Sequence, residues 1–136
     1  DGWLLFVATN QSGVARGYYT ESDVQLLHEQ MNSSFRELGG NITKFFYCPH
    51  LPGAPVKKYD VVCDCRKPAP GMIIRAINEY NLPKDQVFLF GDSDRDIKAA
   101  EAAGIKGFLF DRTNLKDFVY QKLAGLGYRD NGKEDI

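Results

Sequence analysis

QVFLFGDSDRDIKAAEAAGIKGFLFD, residues 86–111, is the stretch from which the fold can be read. Gln86 to Phe90 reads as a buried strand, with Val87-Phe88-Leu89-Phe90 apolar throughout. It stops at Gly91-Asp92-Ser93-Asp94-Arg95-Asp96. A helical segment, Ile97 to Ala103, follows and is closed by Gly104. Lys106 to Phe110 reads as a second strand, ending at Asp111-Arg112-Thr113. Strand, polar loop, helix and strand in this order form the repeating unit of a parallel sheet.

The same alternation extends in both directions. Upstream, Pro70-Gly71 opens a helix with Met72, Ile73, Ala76, Ile77 and Tyr80 on its inner face. Trp3 to Ala8 and Thr43 to Tyr47 read as strands. Between them runs a helix with Thr20 as N-cap and Asp23 in its first turn. Val24, Leu27, His28, Met31 and Phe35 recur at helical spacing to about Leu38, and Gly39-Gly40 ends the helix. Downstream, a helix is expected from Leu115 to Ala124 and a polar, frayed tail over 129–136. The expected fold is α/β, an open three-layer sandwich with a mostly parallel sheet. It would form one domain over 1–128.

Composition excludes several classes. The formal net charge of the 136 residues is -1, so no basic field advertises a nucleic-acid partner. No apolar run approaches the ~20 residues of a membrane span. Asp1-Gly2-Trp3 has neither a basic leader nor a cleavage site. It runs straight into a strand, as though the chain started in a turn inside a domain. Three cysteines are an odd number for a disulfide framework, which favours a cytoplasmic protein with reduced thiols.

The strongest chemical signal is Cys48-Pro49-His50 and, twelve residues later, Cys63-Asp64-Cys65. It uses every cysteine and one of the two histidines. Three thiolates and an imidazole complete a tetrahedral Zn²⁺ shell with no open position, so the zinc is read as structural. It would organise the proline-rich loop 48–66, which lacks periodicity. Buried free thiols, or a disulfide with one thiol to spare, are the alternatives. His28 reads as a surface or packing residue.

Ligands of open α/β sheets bind beyond the carboxyl ends of the strands. Thr9, Asn10 and Asp92 stand at such ends, and the metal loop follows another. Thr9-Asn10-Gln11-Ser12-Gly13 offers donors for an anion, or is an ordinary turn bonded to its own backbone. Lys67 is a candidate phosphate clamp, or a solvated lysine. Asp92 supplies hard oxygen for Mg²⁺, with Asp96 supporting it and Ser93 or Asp94 capping the helix.

With these residues in view, the chain resembles the haloacid dehalogenase superfamily of phosphohydrolases. Within it, the chain is similar to the branch of the heptose bisphosphate and histidinol-phosphate phosphatases. Thr9 to Gly17 matches the second motif of that branch, Cys48 to His50 and Cys63 to Pro68 its zinc loop and third motif, and Gly91-Asp92 with Asp96 the fourth. The long gap between His50 and Cys63, and Ala15-Arg16-Gly17, look like the heptose type. The resemblance implies catalytic roles for Thr9, Lys67 and Asp92, with Asp92 on Mg²⁺. It implies substrate contacts for Asn10, Gln11, Arg16 and Arg66. Cys48, His50, Cys63 and Cys65 would hold the structural zinc. The implied partner is a small phosphorylated sugar, met by a monomer, with no nucleic acid or membrane involved. The superfamily's first motif, Asp-x-Asp-Gly-Thr, supplies its nucleophile and general acid–base. It does not occur in the 136 residues. The expectation is therefore a sheet lacking its first strand and a chain that, taken alone, turns over no substrate. A zinc-stabilised module without catalysis is the reading from a different class.

Overall fold

The computed structural model describes residues 3–128; the polar tail expected over 129–136 lies outside them. By their internal contacts the described residues divide into two compact units, 3–66 and 67–128.

In the first unit, β1 (Phe6–Asn10) and β2 (Lys44–Cys48) pair in parallel across α1 (Glu21–Glu37). The strand starts later than its apolar run predicts. Trp3, Leu4 and Leu5 are exposed, because the ladder opens only where the Thr43 amide donates to the Leu5 carbonyl. Thr9 and Asn10 are therefore the last strand residues, in register with Tyr47 and Cys48. The α1 start is as read: Thr20 caps it, and Asp23 closes a capping box. Its inner face is narrower than the spacing suggests. Val24 and His28 are buried, whereas Leu27 and Met31 are exposed.

His28 is a packing residue, stacked on Phe45 at 4.3 Å between ring centroids. Burial lowers its pKa, because the imidazolium would lose its water. The folded state thus keeps His28 neutral while the unfolded chain takes up a proton. Its stabilising contribution is complete above the usual value of ~6.5 and is lost as pH falls below it. The urea midpoint of the native chain should decline more steeply from neutral to mildly acidic pH than that of His28→Phe. Parallel curves would rule this titration out.

In the second unit, α2 (Gly71–Tyr80) precedes β3 (Phe88–Gly91), α3 (Asp94–Ala103), β4 (Lys106–Leu109) and α4 (Leu115–Gly125). β3 and β4 are parallel, with Phe88 opposite Lys106 and Gly91 opposite Leu109. Ile73, Ile77, Ala99, Ala100, Ala103 and Ile105 form the core, with Leu82, Val87 and Leu89 against it. The alanines let α3 lie close on the sheet. The expected single open sheet is thus seen as two parallel ladders, one in each unit. Each strand bonds to the one that follows its own crossover helix, which is the shortest closure available.

Candidate metal centre and phosphate site

Cys48 ends β2, and the chain leaves the sheet there. The Cys48 carbonyl still accepts from the Gln11 amide at 2.8 Å, and the Val56 amide donates to the Ala15 carbonyl at 3.1 Å. Loops 11–17 and 48–66 are stitched together by these two bonds. Cys48, His50, Cys63 and Cys65 converge within this unit, with all ligand atoms within 4.8 Å of one another. His50 Nδ1 lies 3.6 Å from Cys48 Sγ and 3.5 Å from Cys65 Sγ. Cys63 Sγ lies 3.4 Å from Cys48 Sγ and 3.3 Å from Cys65 Sγ. These contacts are far longer than the ~2.05 Å of a disulfide. They are close to the ~3.5–3.8 Å edges of a tetrahedron with bonds of ~2.3 Å to sulfur and ~2.0 Å to nitrogen. The donor set fits Zn²⁺.

The thiols differ in acidity. Burial works to raise Cys63, but hydrogen bonds from the Cys65 thiol and amide and from Cys48 outweigh it and bring the group to about 7. Burial, then the shared thiol hydrogen bonds, pushes Cys65 well above the usual thiol range; burial also raises Cys48. Without a cation the cluster therefore favours a single thiolate, and a divalent cation would displace the remaining protons.

Thr9 lies half-buried beside this loop. Its Oγ1 accepts from Gln11 Nε2 at 3.2 Å, and Gln11 Oε1 accepts from the Tyr19 hydroxyl at 2.8 Å. Both ends of the Gln11 amide are thus engaged, so Gln11 orients Thr9. A side chain at Gly13 would collide with Tyr19, its Cβ falling 2.3 Å from Cε2, so glycine is what lets the ring reach Gln11. Arg16 is exposed on the same loop. Arg66 NH1 donates to the His50 carbonyl at 3.4 Å, closing the metal loop from its far end.

In the second unit Lys67 Nζ pairs with Asp96 Oδ1 at 2.5 Å, and both side chains are largely buried. Asp96 stands in the first turn of α3, where the helix N-terminus favours a carboxylate. Gly91 makes room for it; a Cβ there would fall 2.4 Å from that of Asp96. Asp92 is exposed one residue beyond β3 and pairs with Arg112 at 3.3 Å. Ser93 is the N-cap, leaving Asp94 on the surface. A shallow cleft among Lys84, Val87, Gly104, Ile105, Lys106 and Tyr128 lies at the opposite, amino ends of β3 and β4 and contains none of these groups.

Sequence reasoning did not anticipate Glu21, Tyr47 and Tyr59. Tyr47 and Tyr59 both donate to the Glu21 carboxylate, each at 2.7 Å. The bond from Tyr59, then that from Tyr47, holds this carboxyl below the usual carboxylate range. No local signal marks partners 26 and 38 residues away.

A HAD-hydrolase-like family profile matches residues 64–116. A D-glycero-beta-D-manno-heptose-1,7-bisphosphate 7-phosphatase of Rhodopseudomonas palustris is 41% identical over 125 residues, covering 92% of this chain and 69% of its own. The chain belongs to the heptose bisphosphate phosphatase branch of the haloacid dehalogenase superfamily. A member of the branch from Photorhabdus laumondii, named for the alpha anomer, is 42% identical over 104 residues, 76% of this chain and 57% of its own. Among solved structures, a D,D-heptose 1,7-bisphosphate phosphatase of B. bronchiseptica complexed with magnesium and phosphate has a TM-score of 0.71. It is 33% identical, with 96% of this chain and 66% of that one covered. A HAD-like phosphatase of Mesorhizobium loti has a TM-score of 0.82 and 26% identity, with 96% and 69% covered. The chain spans 57% to 71% of the length of the branch members it matches.

Proposed function

We propose that this protein hydrolyses a small sugar phosphate, D-glycero-D-manno-heptose 1,7-bisphosphate at its 7-phosphate, leaving inorganic phosphate. One observation carries the reading: a largely buried Lys67, held by Asp96 near the end of β3, in a chain 41% identical to such an enzyme. Thr9 and Asn10 bind the transferring phosphate. Lys67 offsets its charge, and Arg16 and Arg66 contact the rest of the substrate. Gln11 contributes by holding Thr9 rather than as a direct ligand. Asp92 would hold Mg²⁺, exchanging Arg112 for the cation. Mg²⁺ bound there would supply charge neutralisation at the phosphoryl oxygens. The Asp-x-Asp-Gly-Thr motif that would supply the nucleophilic aspartate does not occur in the 136 residues. Zinc at Cys48, His50, Cys63 and Cys65 is structural, because four protein ligands leave no coordination position for substrate.

Residues 1–128 would then act as one phosphatase domain. Reduced zinc-bound thiols support a cytoplasmic site of action, and we take the enzyme as a monomer. Among the described residues no helix is long and apolar enough to cross a membrane.

The test is a substrate panel on the full-length gene product: both anomers of the heptose bisphosphate, histidinol phosphate, and an oligonucleotide 3′-phosphate. The highest kcat/KM should fall on a heptose bisphosphate. A preference for histidinol phosphate or the oligonucleotide would replace this reading. The metal assignment is checked by Mg²⁺ titration. Asp92→Asn should raise the Mg²⁺ needed for half-maximal rate, since it removes a hard anionic ligand. Asp94→Asn should leave it unchanged. The reverse pattern would move the metal to the other carboxylate.

A further inference from the structure

We infer that Glu21 is a positioning residue for the metal loop, a single carboxylate that grips the chain on both sides of the Cys48–His50 pair. This rests on the zinc reading above. Glu21 is the first residue of α1. Its Oε1 accepts from Tyr47, the residue before Cys48, and its Oε2 accepts from Tyr59. Gln25, one helical turn on, donates to the Tyr47 hydroxyl at 3.1 Å and keeps that phenol aimed at the carboxylate. Tyr59 reaches His50 in two ways. Its ring lies 6.4 Å from the imidazole between centroids, and its carbonyl accepts from the amide of Leu51, next to His50, at 2.9 Å.

The geometry matters because the loop has little regular structure. Between β2 and α2 its only regular element is the 3-10 turn Lys57–Tyr59. The bonds that tie it include the Val56–Ala15 backbone bond, the Gly53 amide on Asp60, the Arg66 contact and the Tyr59 phenol on Glu21. Hydrogen bonds to an ionised acceptor are roughly twice as strong as neutral ones. Glu21→Gln keeps the shape but turns one acceptor into a donor. Both phenols then lose a bond to an ionised acceptor, one of them left only to accept from the new amide, and the wall beside Cys48 or His50 loosens.

The experiment measures zinc release from the zinc-loaded chain into excess chelator. Partners that orient metal ligands are typically worth ~10-fold or more in metal retention, so Glu21→Gln should release zinc about tenfold faster. Tyr59→Phe should shift release in the same direction. Thr20→Ala is the comparison: it removes the cap of the same helix without touching the clamp, and should lower the unfolding midpoint while leaving zinc release unchanged. Native-like release from both Glu21→Gln and Tyr59→Phe would overturn the inference. So would equal acceleration by Thr20→Ala, which would mean that any loosening of α1 suffices. A wild-type chain that holds no zinc would overturn the metal reading itself, and this inference with it.

Discussion

Replacing Lys67 with alanine should lower kcat of the full-length enzyme by ~10²–10³, the scale for losing one preorganised electrostatic stabiliser. The structure explains why this lysine differs from the exposed ones. Its ammonium is not free to wander, because Asp96 holds it in a largely buried ion pair. Asp96 is itself fixed by the first turn of α3 and by the space that Gly91 leaves. A charge aimed in advance stabilises a transition state that spreads charge over the phosphoryl oxygens, without reorganising as the reaction proceeds. The substitution also strands the Asp96 carboxylate, so the unfolding midpoint should fall. Asp96→Asn separates the two effects. It keeps the ammonium but removes the Asp96 charge beside it, and should cost less in kcat than Lys67→Ala while also destabilising. Unchanged kcat in Lys67→Ala, measured at saturating Mg²⁺, would remove Lys67 from the machinery.

Loss of the metal should have the second large effect. Elemental analysis should find one zinc per chain. Cys63→Ser should abolish that stoichiometry and open loop 48–66 to proteolysis. Cys63 is the revealing position. It is the least buried of the three thiols and the most acidic, near 7, so it carries the thiolate most readily at neutral pH. Serine offers no comparable anion. Metal binding to small zinc domains is worth on the order of 10 kcal/mol, so a loop ordered by zinc would not absorb the loss. The pH dependence has a definite sign. Protons compete for the ligands, so zinc retention by the native chain should fall as pH drops. Carefully purified native chain with no zinc and three reactive thiols would refute the assignment.

The elements that could be read in advance are those set by short-range rules. The Thr20–Asp23 capping box and the glycine at 104 act within one turn, and both helix ends lie where the chain predicts them. The strand ends were less legible. Trp3 to Leu5 are as apolar as the residues that follow, but a strand exists only where a neighbour pairs with it, and β2 begins at Lys44. The outer face of α1 was misread for a related reason. Helical spacing shows which side is apolar, not how much partner surface exists to cover it. Of the α1 residues only Val24 and His28 are buried.

The four candidate metal ligands could be picked out without tertiary information. They fall within two short segments, and their chemistry points to one another before any fold is known. The alternation of strands and helices and the acidic loop after β3 were legible in the same way, because periodicity and capping are local. Only the folded chain could choose partners across long separations. Lys67 meets Asp96 from 29 residues away, and Glu21 meets Tyr47 and Tyr59 from 26 and 38. A carboxylate in a first helical turn looks the same in sequence whether it faces water or closes on a distant side chain. Which it does is decided by where packing brings the chain, and those pairings turn a list of polar residues into a positioned site.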